Sequence, residues 1–326
     1  MPRTRAADDV AELVAAARDG QHRAVARLIS LIEDAGPQVR EVAAALVPHA
    51  GNAQVVGLTG SPGVGKSTTT SALVSAMRAL SKRVAVLAVD PSSPFSGGAL
   101  LGDRVRMQTH ATDSGVFIRS MATRGHLGGL SAAAPQAVRV LDAAGCDVVF
   151  VETVGVGQSE IEVVSLADTT VVMLAPGMGD GVQAAKAGIL EVADILVVNK
   201  ADRDGAETTT RDLRNMLSLT PHPEAGEPFW SPPIVKTVAV RGEGMDKLTA
   251  AIGEHRGWLE AAGEGDRRRL RRAEAEIEAI TLGEIRARIG DVRGAGTLPE
   301  LAKRVLAGEL DPFAAADELA ESVSST

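Results

Sequence analysis

Eight residues constrain this chain more than any other stretch: Gly60-Ser61-Pro62-Gly63-Val64-Gly65-Lys66-Ser67. They fit the pattern G-x-x-x-x-G-K-[ST]. A strand-like run, Gln54 to Leu58, leads in, and a helix-compatible stretch, Thr68 to Leu80, leads out. Strand, glycine-rich loop and helix in that order is the context the pattern requires. Gly60, Gly63 and Gly65 permit turns that a Cβ would forbid. Successive N–H groups then face one concavity at a helix N-terminus, which favours an anion. Lys66 is placed to reach a phosphate, and the Ser67 hydroxyl to ligate Mg2+. Thr68 extends the expected nucleotide-binding set by one position.

A loop of this kind implies an α/β sheet, and the chain supplies one. Short apolar runs recur at Val55–Leu58, Val84–Val89, Val116–Ile118, Val148–Val151, Thr170–Leu174, Ile195–Val198 and Ile234–Val238. Most are continuous and rich in Val and Ile, as strands buried on both faces are. Helical stretches between them predict right-handed crossovers and a doubly wound, mostly parallel sheet over residues 53–256. Residues 1–52 read as a helical extension. Val10, Leu13, Val14 and Ala17 share one face, then Val25, Leu28, Ile29 and Ile32, then Val39, Val42, Ala43 and Leu46 behind Pro37. Packing of these helices on the main domain is expected. Residues 257–326 form a third segment. Gly263-Glu264-Gly265-Asp266 reads as a linker, a charged helix runs from Arg267 to about Ile289, and a glycine-rich break follows at Gly290–Gly296. Asp311-Pro312 reads as the N-cap and first turn of a last helix. The apolar positions of this segment need cover, from the main domain or a second subunit.

Composition narrows the function. The chain of 326 residues carries a formal charge of −8 and only 2% aromatics, with no Tyr. Nucleic-acid and membrane-surface binding are therefore not expected. One cysteine, Cys146, excludes an intramolecular disulfide and fits a reducing cytoplasm. The first residues, MPRTRAADDVAELV, lack an apolar signal core. No run reaches the roughly 18 apolar residues of a membrane span.

Carboxylates stand at two strand ends. Asp90 closes the second run, where it would lie near the phosphates or simply start a turn with Pro91. Val148-Val149-Phe150-Val151-Glu152 is the Walker B pattern of four apolar residues and a carboxylate, which would complete a Mg2+ site. Gly155 follows where a γ-phosphate would hold its N–H, a plausible switch. The Ras-like pattern has Asp at the position of Glu152, and no Gln follows Gly155 directly. Asp103 and Arg106 are the polar groups of a long glycine-rich loop, and His126 lies in another. Asn199-Lys200-Ala201-Asp202 is N-K-x-D at a strand end. The Asp202 carboxylate would accept both N1–H and the 2-amino group of guanine, which adenine does not offer. A wrong base would leave that carboxylate unpaired, at about 1–3 kcal/mol. Lys200 would lie along the base and Asn199 would tie loops together. A backbone N–H of Val238, Ala239 or Val240 would meet guanine O6. A P-loop, a Walker B strand and N-K-x-D, in that order, point to a GTPase that converts GTP to GDP.

These stretches, with Val-Asp90-Pro-Ser-Ser, Gly102-Asp103-Arg104-Val105-Arg106-Met107, the run from Glu152 to Glu160 and Leu-Asp311-Pro-Phe, make the chain resemble the methylmalonyl-CoA mutase-associated GTPases. That family was formerly labelled a lysine/arginine/ornithine transport ATPase. The resemblance implies a P-loop core of the SIMIBI type, N-terminal helices and a C-terminal arm that makes a homodimer. It implies Mg2+ near Ser67, Asp90, Asp103 and Glu152. It also implies a chaperone role at adenosylcobalamin-dependent methylmalonyl-CoA mutase, gating cofactor delivery and protecting the enzyme. Pro176 to Lys186 reads as an ordinary loop or, by resemblance, as a third switch; there Lys186 would stabilise phosphate charge when the partner binds. The family's fifth motif often reads Ser-Ala; here it is Val238-Ala239. Three other readings compete: an ATPase of basic amino-acid transport, against which Asn199–Asp202 argues; a metal-insertion GTPase, whose Cys and His clusters are missing; and a non-enzymatic scaffold dimer that merely binds GDP.

Overall fold

The computed structural model describes residues 9–34, 36–90, 108–110, 112–122, 133–153, 165–177, 192–219, 228–294 and 297–324. They divide into two compact units, one ending at Arg269 and the other beginning at Leu270.

The first unit is built on seven strands: β1 (Gln54–Thr59), β2 (Val84–Asp90), β3 (Val116–Ala122), β4 (Val148–Thr153), β5 (Thr169–Leu174), β6 (Ile195–Asn199) and β7 (Ile234–Thr237). Each expected run is a strand. Their order is β3-β2-β4-β1-β5-β6-β7, and every pairing is parallel. The sheet is thus wholly parallel. Because β4 returns to lie beside β1 and β5 continues on β1's other side, the winding reverses around β1. Crevices for ligands form at that reversal, beyond the carboxyl ends of the strands. The P-loop follows β1 there.

Side chains alternate between the two faces of a strand, and the core divides accordingly. Val55, Ala85, Leu87, Val89, Val149 and Val151 face one cluster, which also holds the N-terminal helices α1 (Val10–Arg18), α2 (His22–Glu33) and α3 (Val39–Leu46), and α5 (Ala133–Ala143). Val56, Leu58, Val84, Val86, Val171 and Ile195 face the other, against α4 (Lys66–Ala79) and α7 (Met245–Ala261). The helical extension therefore packs on the sheet, as expected. Leu28 and Ile29 are fully buried, each worth about 1.5–3 kcal/mol. Asp9 caps α1 by accepting from the Glu12 amide at 3.1 Å, and Arg119 on β3 reaches Ser30 and Glu33 on α2. A smaller cluster joins Val172, Leu174, Leu196 and Val198 to α6 (Ala206–Ser218).

The edge where strands begin is closed by aspartates. Asp142 accepts from the amides of Gly51, Asn52 and Ala53. Asp168 accepts from Val55 N–H, Asp147 from Arg83 N–H and Asp194 from Thr170 N–H. Asp194 also takes both terminal nitrogens of Arg268, at 2.8 and 2.9 Å, and lies 3.2 Å from His255 Nε2. Burial raises the Asp194 pKa, but the hydrogen bonds from His255 and Arg268 outweigh it and hold the carboxyl below its usual range. His255 is fully buried, its Nδ1 is hydrogen-bonded with Thr169 Oγ1 at 2.9 Å, and its ring contacts those of Trp230 and Trp258.

Arg268 belongs to α8 (Glu264–Gly294), so the expected linker at Gly263–Asp266 is corrected. Only Gly263 turns, at φ +64°. Glu264 and Asp266 stand in the helix's first turn, where acidic side chains suit the N-terminal dipole, and Glu264 pairs with Arg267 and Arg268. The helix also continues to Gly294, through most of the expected break. In the second unit, α9 (Thr297–Leu306) and α10 (Pro312–Ser324) are joined by Arg304 and Glu318 at 2.6 Å. Asp311 caps α10, accepting from the amides of Phe313 and Ala314.

Candidate nucleotide site

β1 delivers the P-loop into a tight slot. A Cβ on Gly60 would stand 2.3 Å from the Met173 carbonyl oxygen of β5. Gly65 has φ +101°, and a Cβ there would stand 2.4 Å from Asn199 Nδ2. Both positions require glycine, one for strand passage and the other for contact between two motifs. Val64 is buried, while Pro62 and Gly63 are exposed at the tip. α4 begins at Lys66, so the amides of Lys66, Ser67 and Thr68 belong to its open first turn. Lys66 is 6% exposed, and its ammonium donates to the Gly60 and Ser61 carbonyls.

The N-K-x-D stretch closes over this loop. Asn199 Nδ2 donates to the Val64 carbonyl at 2.8 Å, and Asn199 Oδ1 accepts from Thr237 Oγ1 and Ala239 N–H at 3.1 Å each. It ties the P-loop to the segment after β7, as its place in the motif suggested. Lys200, at φ +56°, donates to the Gly63 carbonyl at 2.6 Å. Asp202 is exposed and lies 3.5 Å from Arg241, which also pairs with Glu243. Of the three residues expected at guanine O6, Val238 is buried, Ala239 gives its N–H to Asn199, and Val240 is 80% exposed. A cleft of about 730 Å³ runs between Thr68, Ser71 and Ala72 of α4 and Ala239, Val240 and Met245.

Glu152, near the end of β4, is 2% exposed and is registered against Leu58 of β1 and Ala88 of β2. Its Oε2 accepts from Thr70 Oγ1 at 2.5 Å. Asp90 ends β2 as expected, but its side chain lies outside the described residues, as do Asp103, Arg106, His126, Gly155 and Lys186. The structure thus brings together Lys66, Ser67, Glu152, Asn199, Lys200 and Ala239.

The sequence reading missed the partners on α4. Thr70 holds Glu152. His110 Nε2 lies 3.2 Å from Ser71 Oγ and 3.1 Å from its carbonyl. Asp113 makes a two-pronged pair with Arg78 at 2.8 and 2.9 Å, which holds its carboxyl below the usual range. No motif carries these residues; only helical spacing from Ser67 marks Thr70 and Ser71. Cys146 is buried, and burial pushes its thiol up to about 12, away from the reactive thiolate.

A parallel sheet wound around β1, a glycine loop opening a helix, a buried Walker B carboxylate and an N-K-x-D that locks onto the loop define a P-loop GTPase. Comparison with known proteins carries this further. The family described as "Methylmalonyl Co-A mutase-associated GTPase MeaB" matches residues 25–292, and the chain belongs to it. A Pyrococcus abyssi protein named as a GTPase is 48% identical over 312 residues, 96% of each chain. The mouse "Methylmalonic aciduria type A homolog, mitochondrial" is 32% identical over 323 residues, covering 94% of this chain and 77% of that one. A crystal structure described as an LAO/AO transport system kinase superposes with a TM-score of 0.70 at 26% identity, over 98% of this chain and all of that one.

Proposed function

We propose that the chain uses GTP binding and hydrolysis to serve an adenosylcobalamin-dependent methylmalonyl-CoA mutase, gating cofactor delivery and protecting the mutase. The observation that carries this is the family match over residues 25–292, which spans the P-loop, Glu152 and Asn199–Asp202. The name of the mouse relative agrees with it. Retention of the native mutase by the immobilised chain, differing between GDP and a non-hydrolysable GTP analogue, is the expected result. No retention in either state would overturn the reading.

Within it, Asp202 and Lys200 read guanine, Lys66 and the loop amides hold the phosphates, and a backbone N–H near Ala239 meets the base. Mg2+ fits the residues present. Ser67 offers a hydroxyl and Glu152 a buried carboxylate. A few protein oxygens beside substrate phosphates suit Mg2+, which keeps several waters. Asp90 and Asp103 would add to that set, and bound Mg2+ would neutralise phosphate charge. Lys186 remains the proposed partner-controlled residue. Its replacement by alanine is expected to keep basal hydrolysis and lose most partner stimulation.

We further propose a homodimer through the segment after residue 256. Leu270, Ile277, Ile280, Leu306 and Phe313 expose 61%, 66%, 45%, 89% and 84% of their surface, and two-fold pairing is the commonest way to cover such faces. Light scattering of the full chain is expected to give twice the 33.6 kDa chain mass. Among the described residues no helix is long and apolar enough to cross a membrane; a cytoplasmic site of action is part of the proposal.

A further inference from the structure

The Walker B position holds a glutamate, one methylene longer than aspartate, and that extra length needs a restraint. A buried carboxylate with an additional free torsion would sample several directions. Thr70 supplies one. It is fully buried on α4, three residues beyond Ser67 and so beside it on the helix surface. Its hydroxyl lies 3.1 Å from the Lys66 carbonyl, four residues back. That contact selects among the few side-chain rotamers open to a β-branched residue in a helix. The hydroxyl has one proton. The 2.5 Å separation from Glu152 Oε2 is that of a charge-assisted O–H···O⁻ bond, so the carboxylate is its main acceptor. Helix α4 therefore carries both the proposed metal-ligating hydroxyl and the group that aims the carboxylate.

We propose that Thr70 is a positioning residue for GTP hydrolysis, fixing the Glu152 carboxylate so that it serves the ion bound with the nucleotide phosphates. The inference rests on the reading of Glu152 as the metal-side carboxylate, and the test separates the two. The readout is release of a fluorescent GDP analogue as Mg2+ is titrated, with the same release in EDTA and steady-state hydrolysis alongside. In Thr70→Val, the Mg2+ concentration that half-maximally slows release should rise roughly tenfold, as for loss of one hydrogen bond to a charged group. The kcat should fall by a similar factor, and release in EDTA should not change. Thr70→Ser should restore both. Thr70→Val added to Glu152→Gln should do nothing further, because the two residues act as one unit. If the valine variant does not fold, Thr70→Ala takes its place in the same cycle. Native Mg2+ dependence in Thr70→Val, with Glu152→Gln impaired, overturns the inference and leaves the reading of Glu152 intact. Native Mg2+ dependence in Glu152→Gln overturns both.

Discussion

At the edge where the strands begin, Asp142, Asp147, Asp168 and Asp194 accept from backbone amides, and Asp194 adds Arg268 and His255. At the edge where the strands end, Lys66 and Lys200 donate to carbonyls of the loop itself, and Asp202 stands exposed beside Arg241. The difference lies in how replaceable the partners are. Buried charge is retained only when compensated, and the first edge compensates with fixed backbone amides and, at Asp194, with Arg268 and His255. At the second, the Lys66 ammonium donates to neutral loop carbonyls, and a charged phosphate oxygen would be a stronger acceptor than either. On the proposed function, polar residues at one edge hold the sheet together and those at the other are placed for a ligand.

This contrast can be broken by substitution. The largest effect is expected at Asp194. Asp194→Ala leaves Arg268 and His255 facing a space without their acceptor and should cost the first unit about 3–5 kcal/mol. Denaturant unfolding followed with GDP titration checks this; an equal loss in GDP affinity of the folded protein would erase the distinction between edges. Lys66→Ala should do the reverse. Nucleotide affinity should fall roughly ten- to a hundredfold, the worth of hydrogen bonds to a charged group, while the unfolding midpoint barely moves. Asp202→Asn should shift preference from GTP to xanthosine triphosphate by about 1–3 kcal/mol, because an amide donates to the 2-oxo group. Competition binding reads that out, and equal binding of ATP and GTP by the native chain would remove its basis.

The smallest effect is with pH. The Asp194 carboxyl is held below its ordinary 3.8 in the folded chain. Its contribution is therefore complete above that value and is lost as pH falls through the lower folded value. Acid unfolding of Asp194→Asn should be flatter over that range than for the native chain; an unchanged acid limb would show that other carboxylates dominate.

Legibility in the sequence followed the same division. The P-loop, the Walker B strand and Asn199–Asp202 carry spacing that only one geometry satisfies, and the structure brings them together. The seven strands were legible because strands buried on both faces must be apolar throughout. The aspartates at the other edge were not, since a carboxylate that accepts from an amide a score or more positions away has no local pattern. Gly263–Asp266 was misread for a related reason. Two glycines in four residues resemble a linker, yet Glu264 finds Arg267 and Arg268 at helical spacing and keeps Gly265 in the helix. Thr70 escaped because its role depends on β4, 82 residues away.

The chain has two tryptophans and no tyrosine, and both tryptophans rest on His255 beside Asp194. Its ultraviolet-excited emission therefore originates at the edge opposite the nucleotide. An imidazole in ring contact is a short-range quencher. The emission is thus a built-in optical gauge of the root of α8. Guanine nucleotide adds no chromophore there, so a change in emission on binding GTP would report a signal carried across the full depth of the sheet.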